Sequence, residues 1–406
     1  MVGKRGNMDI HRLLPPHPFP ARMAPEIALR AVKNSNYAGT VLDPMCGSGT
    51  VLKAAVLSGR PAMGFDVDPL AILMSRVWTA GIDTDQVVTL GTEILAEASQ
   101  LDPIACPLPW IDADPETRAF VSYWFDTPQE EELRRLAYVL HSKTGDVADA
   151  VRLAFSRLII TKERGASLAR DVSHSRPHRV MDSNDFSVFE AFKTSLTKVS
   201  RRLNETGHAG TSVVRSGDAR NMDSVVSESV AQVVTSPPYL NAIDYIRGHK
   251  LALVWFGYRI GELRRIRADS IGAERGLGKA MKQADRLRLI ERITQSAEMP
   301  SKLLGMVDRY VRDVEQFIAE AWRVLMPGGE AVFVVGNSTV RGVYIDNARL
   351  LDLVAESCGF NLTSEEQRRL PPARRYLPPP TPKEDSALGA RMRSETILHF
   401  AKPQAC

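Results

Sequence analysis

The chain has 406 residues, 44% of them hydrophobic, enough to bury one large core, or one core and a smaller lobe. Its net charge of +4 and pI of about 8.8 permit a nucleic-acid partner without demanding one, so local clusters of charge matter more than the total. Four cysteines (Cys46, Cys106, Cys358, Cys406) have no paired spacing, which argues against structural zinc, so no metal is expected. The same cysteine usage fits a reducing cytoplasm; neither a signal peptide nor an apolar run long enough to cross a membrane is expected.

In chain order, a proline-rich arm comes first, His17-Pro18-Phe19-Pro20-Ala21-Arg22-Met23-Ala24-Pro25. The β-prone run Thr40-Val41-Leu42 then leads into Asp43-Pro44-Met45-Cys46-Gly47-Ser48-Gly49-Thr50, and an amphipathic helix through Leu57 stops at Gly59. A second strand, Ala62 to Phe65, ends in Asp66-Val67-Asp68, and another helix follows from Leu70 to about Trp78. This is a β-turn-α-β unit whose glycines let the backbone approach a ligand closely. Asp66 follows at the distance usual for gripping a ribose diol. A lone glycine loop is common to many nucleotide-binding folds.

Residues 81–210 read as a helical insert, with a capping box at Thr127-Pro128-Gln129-Glu130 opening a helix through Leu140. Further helices are predicted from about Val147 to Lys162 and from about Val188 to Leu203. Between these lies a basic loop with Arg170, His174, Arg176, His178 and Arg179. The spacing of the two histidines could suggest a metal, but no third ligand is apparent nearby.

A strand from Thr211 to Arg215 leads to Gly217-Asp218-Ala219, and the apolar run Val230 to Val234 leads to Thr235-Ser236-Pro237-Pro238-Tyr239. Two prolines cannot continue a ladder, so the chain leaves the sheet rigidly at Ser236 with a hydroxyl, carbonyls free of a strand partner and an aromatic ring. That set suits a flat group bearing an amine. The plain alternative is an ordinary strand-ending turn.

Residues 240–302 form a second insert, apolar at first and then basic, with Arg264, Arg265, Arg267, Arg275, Lys279 and Lys282 interleaved with acids. A long helix from about Met306 to Leu325 should stop at Met326-Pro327-Gly328-Gly329. A strand from Ala331 to Gly336, a helix from Asp346 to Cys358, and an antiparallel pair of Phe360–Thr363 with Thr396–Phe400 complete the chain. Arg374 and Arg375 lie in a stiff proline-rich loop before the last strand.

Three motifs, the arm at His17-Pro18-Phe19, the loop Asp43 to Thr50 and the turn Thr235 to Tyr239, resemble those of the amino-methylating DNA methyltransferases that use S-adenosyl-L-methionine. The resemblance covers the catalytic core and neither insert. It implies an α/β, Rossmann-like class I methyltransferase sheet, mostly parallel with an antiparallel last strand. The core would comprise residues 1–80, 211–239 and 303–406, and both inserts would form one DNA-facing lobe.

By the same resemblance Ser236, Pro237, Pro238 and Tyr239 would be catalytic: the Ser236 side chain and Pro237 carbonyl accept from the base amine, and Tyr239 stacks on the base. Pro18, Phe19, Asp43, Pro44, Met45, Cys46, Gly47, Ser48, Gly49, Thr50, Asp66, Val67, Asp218, Ala219 and Thr235 would surround the cofactor. Asp66 would hold the ribose hydroxyls and Asp218 would accept from the adenine amine, with Asp68 left as a helix-capping acid. Serine at the head of the turn points to cytosine N4 rather than adenine N6. Cys46 is not the nucleophile of a cytosine-C5 enzyme, because those present cysteine in a Pro-Cys turn. Double-stranded DNA would be the partner, with Arg170, Arg176, Arg179, Arg374 and Arg375 as candidate contacts, and a cognate restriction endonuclease would accompany such an enzyme in a restriction-modification system. The cofactor loop precedes the catalytic turn here, whereas many relatives of the Ser-Pro-Pro-Tyr type carry the reverse order. An RNA base-amine methyltransferase and a non-catalytic DNA-binding protein with a vestigial pocket are the other readings.

Overall fold

Alternation along a few short apolar strands organises the molecule. A computed structural model describes residues 10–20, 22–35, 37–172, 177–207, 209–240, 244–271, 283–294, 299–370 and 394–404. Seven strands form the main sheet: β1 (Val41–Asp43), β2 (Ala62–Asp66), β3 (Ser212–Ser216), β4 (Val230–Thr235), β5 (Leu325–Val335), β6 (Asn361–Arg369) and β7 (Ser394–Ala401). Their spatial order is β6-β7-β5-β4-β1-β2-β3. All neighbouring pairs are parallel except those of β7, which runs antiparallel to both β5 and β6. This is the doubly wound class I methyltransferase sheet, with β7 as the reversed strand.

Because side chains alternate across a strand, each central strand feeds two cores. Val41, Val234, Val332 and Ile397 pack with the helices Pro25–Asn34 and Thr50–Leu57. Leu42, Val233, Phe333 and Leu398 pack with the helices Ser301–Val324 and Asn347–Cys358. Every residue of β4 is buried, which is why it reads as a largely apolar run; the polar residue at its middle, Gln232, donates to the Ala31 carbonyl at 2.8 Å. Each such Val, Leu or Phe contributes roughly 1.5–3 kcal/mol of burial.

The strand order reverses between β1 and β4: β1 continues to β2 on one side and β4 to β5 on the other. Register pairs Val41 with Gln232 and Leu42 with Val233. Asp43 and Thr235 therefore end adjacent strands at the same carboxyl edge, the crevice where open α/β sheets bind ligands.

A third core is helical. Trp78, Leu95, Trp110, Leu136, Phe155 and Phe192 share it with Leu251, Val254, Trp255 and Leu263 from beyond β4. Trp110 Nε1 donates to the Val254 carbonyl at 2.7 Å, and Phe125 meets Trp255 edge-on. The stretch 240–302 nevertheless divides: Leu289, Ile290 and Ile293 of the helix Gln283–Thr294 belong to the sheet core instead.

Three local expectations need correction. The helix Thr127–His141 is capped by Asp126, whose carboxyl accepts from the Thr127 amide at 2.9 Å, so Thr127 is the first helical residue rather than the cap. The helix beginning at Asp146 ends at Ser156 rather than near Lys162; the Ser156 hydroxyl bonds back to the Leu153 carbonyl, and residues 157–160 form a buried turn. Met326 to Gly329 does not punctuate the long helix. Val324 ends the helix, and Leu325 already pairs with Val230 in β5. The four residues are an outpouching of that strand, held by Gly328 at φ +79° donating to the Lys402 carbonyl at 2.9 Å.

Candidate functional site

The glycine turn is built by left-handed backbone that favours glycine. Gly47 has φ +50° and Gly49 φ +87°. A Cβ on Gly49 would stand 2.9 Å from Ser75 Oγ, and one on Gly47 would stand 3.1 Å from the Phe19 ring. Phe19 thus lies directly over the turn, bringing the proline-rich arm to it. The Cys46 amide donates to the Phe65 carbonyl, and the Ser75 hydroxyl donates to the Gly47 carbonyl at 2.6 Å. Ser75 lies on the helix Pro69–Thr79 and carried no motif in the sequence; a serine on an otherwise apolar helix face is the only local sign of it.

Asp66 ends β2 and turns both oxygens to backbone, accepting from Gly47 at 2.8 Å and from Asp68 at 2.9 Å. Burial, with help from Asp68, raises its carboxyl to about 6. Asp43 is raised to about 7 by burial, against the Thr235 hydroxyl and the Met45 amide, which favour its ionised form. Two acids close to neutrality therefore flank the turn. The buried hydroxyls of Ser48 and Thr50 have no hydrogen-bond partner. A cradle closed to any side chain, two unanswered hydroxyls and a carboxyl at the next strand end fit a polar adenosyl-type cofactor. Burial pushes the Cys46 thiol well up, with Asp66 and Asp43 adding to it, so this cysteine is a packed neutral group.

At the neighbouring edge, Thr235 and Pro237 are buried while Ser236, Pro238 and Tyr239 are half-buried. The Ser236 hydroxyl donates to the Val334 carbonyl of β5 at 2.8 Å. Its proton being committed there, the oxygen presents lone pairs outward. Burial raises the Tyr239 phenol, which packs against the sheet core.

Asp218 follows β3, with Ala219 buried beside it and Val67 half-buried after β2. The Asp218 carboxyl is already gripped by Arg220, whose Nε and Nη2 reach it at 3.0 and 2.6 Å. Arg220 Nη1 continues to the buried Asp313 at 2.7 Å. Asp68 caps the following helix by accepting from the Leu70 amide, the role expected of it. It also receives His249, which sequence reasoning missed. His249 and Tyr245, one turn apart on the helix Tyr245–Leu253, both face Phe19, with ring centroids 5.6 and 5.0 Å away.

Of the candidate DNA contacts, Arg170 is exposed on the short ladder 169–170/178–179. Arg179 lies over the Tyr123 ring at 5.1 Å and reaches Asp182 at 3.6 Å. Arg176, Arg374 and Arg375 lie outside the described residues, as do His174, Arg275, Lys279 and Lys282. Among the described residues no cluster of three or more His, Cys, Asp or Glu could hold a metal, and no helix is long and apolar enough to cross a membrane.

No family model matches the chain. It is 28% identical to the type II methyltransferase M.AvaI of Nostoc sp. strain PCC 7120 over 147 residues, 32% of this chain and 30% of that protein. M.BsoBI of Geobacillus stearothermophilus matches at 28% over 156 residues, 32% of this chain and 31% of that protein. M.MvaI of Kocuria varians matches more extensively, 21% identical over 363 residues, 81% of this chain and 78% of that protein. By sequence, the chain is similar to these type II methyltransferases. It spans about 30% of the length of the first of these relatives. Among solved structures, a SAM-dependent methyltransferase of Methanosarcina mazei is 9% identical over 92% of this chain and 96% of that one, with a TM-score of 0.33; the fold assignment rests on the strand order itself.

Proposed function

We propose that this protein transfers a methyl group from S-adenosylmethionine to the N4 amine of a cytosine flipped out of DNA. The observation that carries the reading is the pairing of β1 with β4, which ends the glycine turn and the Ser-Pro-Pro-Tyr turn side by side at the sheet's switch point. The similarity to M.AvaI, M.BsoBI and M.MvaI, all type II methyltransferases, supports it.

S-adenosylmethionine, when bound, supplies an electrophilic methyl on a positively charged sulfur. Gly47 to Thr50 would hold its methionine part under Phe19, Asp66 its ribose hydroxyls, and Asp218 its adenine amine. A base amine is a poor nucleophile because its lone pair is delocalised into the ring. Ser236, its own proton committed to Val334, accepts one amine hydrogen; the Pro237 carbonyl accepts the other. Both draw the nitrogen toward tetrahedral geometry and localise the pair that forms the new N–C bond. In the transfer the C–S pair would remain with the cofactor's sulfur, and the amine would give up one proton to solvent water. Tyr239 stacks on the base and helps offset the few kcal/mol of flipping. Alignment and electrostatics then supply most of the acceleration.

A neutral hydroxyl at position 236, where related enzymes carry Asp or Asn, favours cytosine N4 over adenine N6. Incubation with methyl-labelled cofactor and duplex DNA, followed by mass analysis of nucleosides, should yield N4-methylcytosine. Label in N6-methyladenine alone would reverse the base assignment, label in RNA alone would redirect the substrate, and binding without transfer would remove the catalytic reading.

A further inference from the structure

The helix Tyr245–Leu253 begins six residues after Tyr239, so a chain reach of at most about 21 Å, roughly six base-pair steps, separates it from the catalytic turn. One side of it, Tyr245 and His249, faces Phe19 over the cofactor loop. The other side carries Arg247 and Lys250. The neighbouring helix Ile260–Ala268 adds Arg267, and both arginines meet at Asp244, the helix cap. Arg267 Nε meets the Asp244 carboxyl at 2.5 Å and Arg247 Nε approaches it at 3.4 Å, while the Lys250 ammonium lies over the Phe120 ring at 5.0 Å.

Charge here is not balanced. Among the described residues, two arginines pair with one carboxyl that is itself mostly covered, 23% exposed, whereas the Arg247 and Arg267 side chains are 43% and 48% exposed, and Lys250 beside them has no ion pair. Other arginines of the described lobe are matched differently: Arg134 reaches both Asp112 and Glu130, and Arg264 reaches Glu116. Burial first, and then Arg247 and Arg267, hold the Lys250 ammonium below its usual value, with Asp244 pulling the other way. Surplus positive charge packed this closely is relieved by an anion, and two guanidinium forks suit the paired oxygens of a phosphodiester.

We propose that Arg247, Lys250 and Arg267 form a phosphodiester-binding site that grips the DNA backbone next to the target base. This rests on the methyltransferase reading above. The contact positions the duplex and carries no sequence information. Asp244 acts as a spacer that fixes both guanidinium groups before the duplex arrives.

The test uses the full chain with Arg247→Ala/Arg267→Ala, and Arg349→Ala as a control that removes an exposed cation on a sheet-packing helix. Binding of random-sequence duplex DNA is followed by fluorescence anisotropy over a range of salt concentrations, beside calorimetric binding of S-adenosylmethionine. The double variant should bind duplex about tenfold or more weakly and lose about 1.8 from the slope of log K against log salt, near 0.9 per phosphate contact. Its cofactor affinity, and both properties of Arg349→Ala, should stay at the wild-type level. Unchanged duplex affinity and slope in the double variant, with a wild type that methylates DNA, overturns this site alone. A wild type that transfers no methyl to DNA, or transfers it only to RNA, overturns the underlying reading and this site together.

Discussion

His249 Nδ1 lies 2.5 Å from Asp68 Oδ2, with the two side chains only 2% and 6% exposed. The pair ties the helix that follows the Ser-Pro-Pro-Tyr turn to the acid that follows β2, two segments 181 residues apart. A displacement at one turn is therefore felt at the other. Leaving one partner of such a buried bond unanswered costs about 1–3 kcal/mol. His249→Ala should lower the melting temperature and weaken S-adenosylmethionine binding about tenfold, and His249→Gln should recover part of both. Thermal melts and calorimetric titration read the two effects; wild-type values in His249→Ala would show the pair to be incidental.

Ser236→Ala removes the hydroxyl that donates to Val334, and Tyr239→Ala removes the half-buried ring. Each should lower methyl transfer by about 10²-fold or more, the scale of losing one preorganised polar contact in a transition state. Cofactor affinity should hold. Single-turnover transfer of labelled methyl separates chemistry from binding, and near-normal rates in both variants would dismiss the catalytic assignment.

Gly49 adopts φ +87° against Ser75. Gly49→Ala forces a Cβ into backbone and side chain together, costing about 1–3 kcal/mol of stability for the strained conformation. The cofactor should bind weakly even where the variant folds. Ser75→Ala is the milder companion, losing the bond to the Gly47 carbonyl without a clash. Chemical denaturation beside calorimetry should rank wild type, then Ser75→Ala, then Gly49→Ala in both properties; an unaffected Gly49→Ala protein would contradict the turn geometry.

Asp43 and Asp66 are raised from 3.8 to about 7 and about 6. The folded protein thus retains protons that the unfolded chain has released. Their contribution to stability is full below about pH 4 and is lost as pH rises through 6 and 7. Cofactor binding works the other way, since ribose hydroxyls donate best to an ionised Asp66. Binding at pH 6 should release protons, seen as a dependence of calorimetric heat on the buffer's ionisation enthalpy, and the release should fade by pH 9. Heats independent of buffer at pH 6 would rule this linkage out.

Arg220 joins Asp218 to Asp313 with its own side chain 1% exposed and that of Asp313 fully buried. Removing one partner of a buried ion pair typically costs about 3–5 kcal/mol, because a charge is left without compensation. Asp313→Ala should destabilise the fold on that scale and loosen the β3 edge; urea denaturation within 1 kcal/mol of wild type would count against it.

The parts legible in the sequence are those with local signatures. β4 is four apolar residues about Gln232 and a rigid exit; the first β-turn-α-β unit is bounded by glycines; the final antiparallel pair follows a helix with a clear period. What stayed hidden is non-local. Nothing near Trp110 announces Val254, and nothing near Arg220 announces Asp313. The end of the long helix is legible to within one residue, but the proline and glycines are not what stops it: burial of Leu325 against β4 decides the boundary. In the turns, residue type pointed to the strand exits, but the orientation of the Ser236 proton depended on a carbonyl 98 residues away.

The helical core shared across β4 has a consequence for the chain as it emerges from the ribosome. Phe125 and Phe155 are made long before their partners Trp255 and Phe256. At roughly 5–20 residues per second, the interval from Phe125 to Trp255 is about 6–26 s, during which one wall of the lobe faces solvent. Both ligand-facing turns exist by residue 239, yet the lobe between them closes only afterwards. A nascent chain halted at that point would carry every motif of the site on a half-covered scaffold, exposed to chaperones and proteases rather than ready for its substrate.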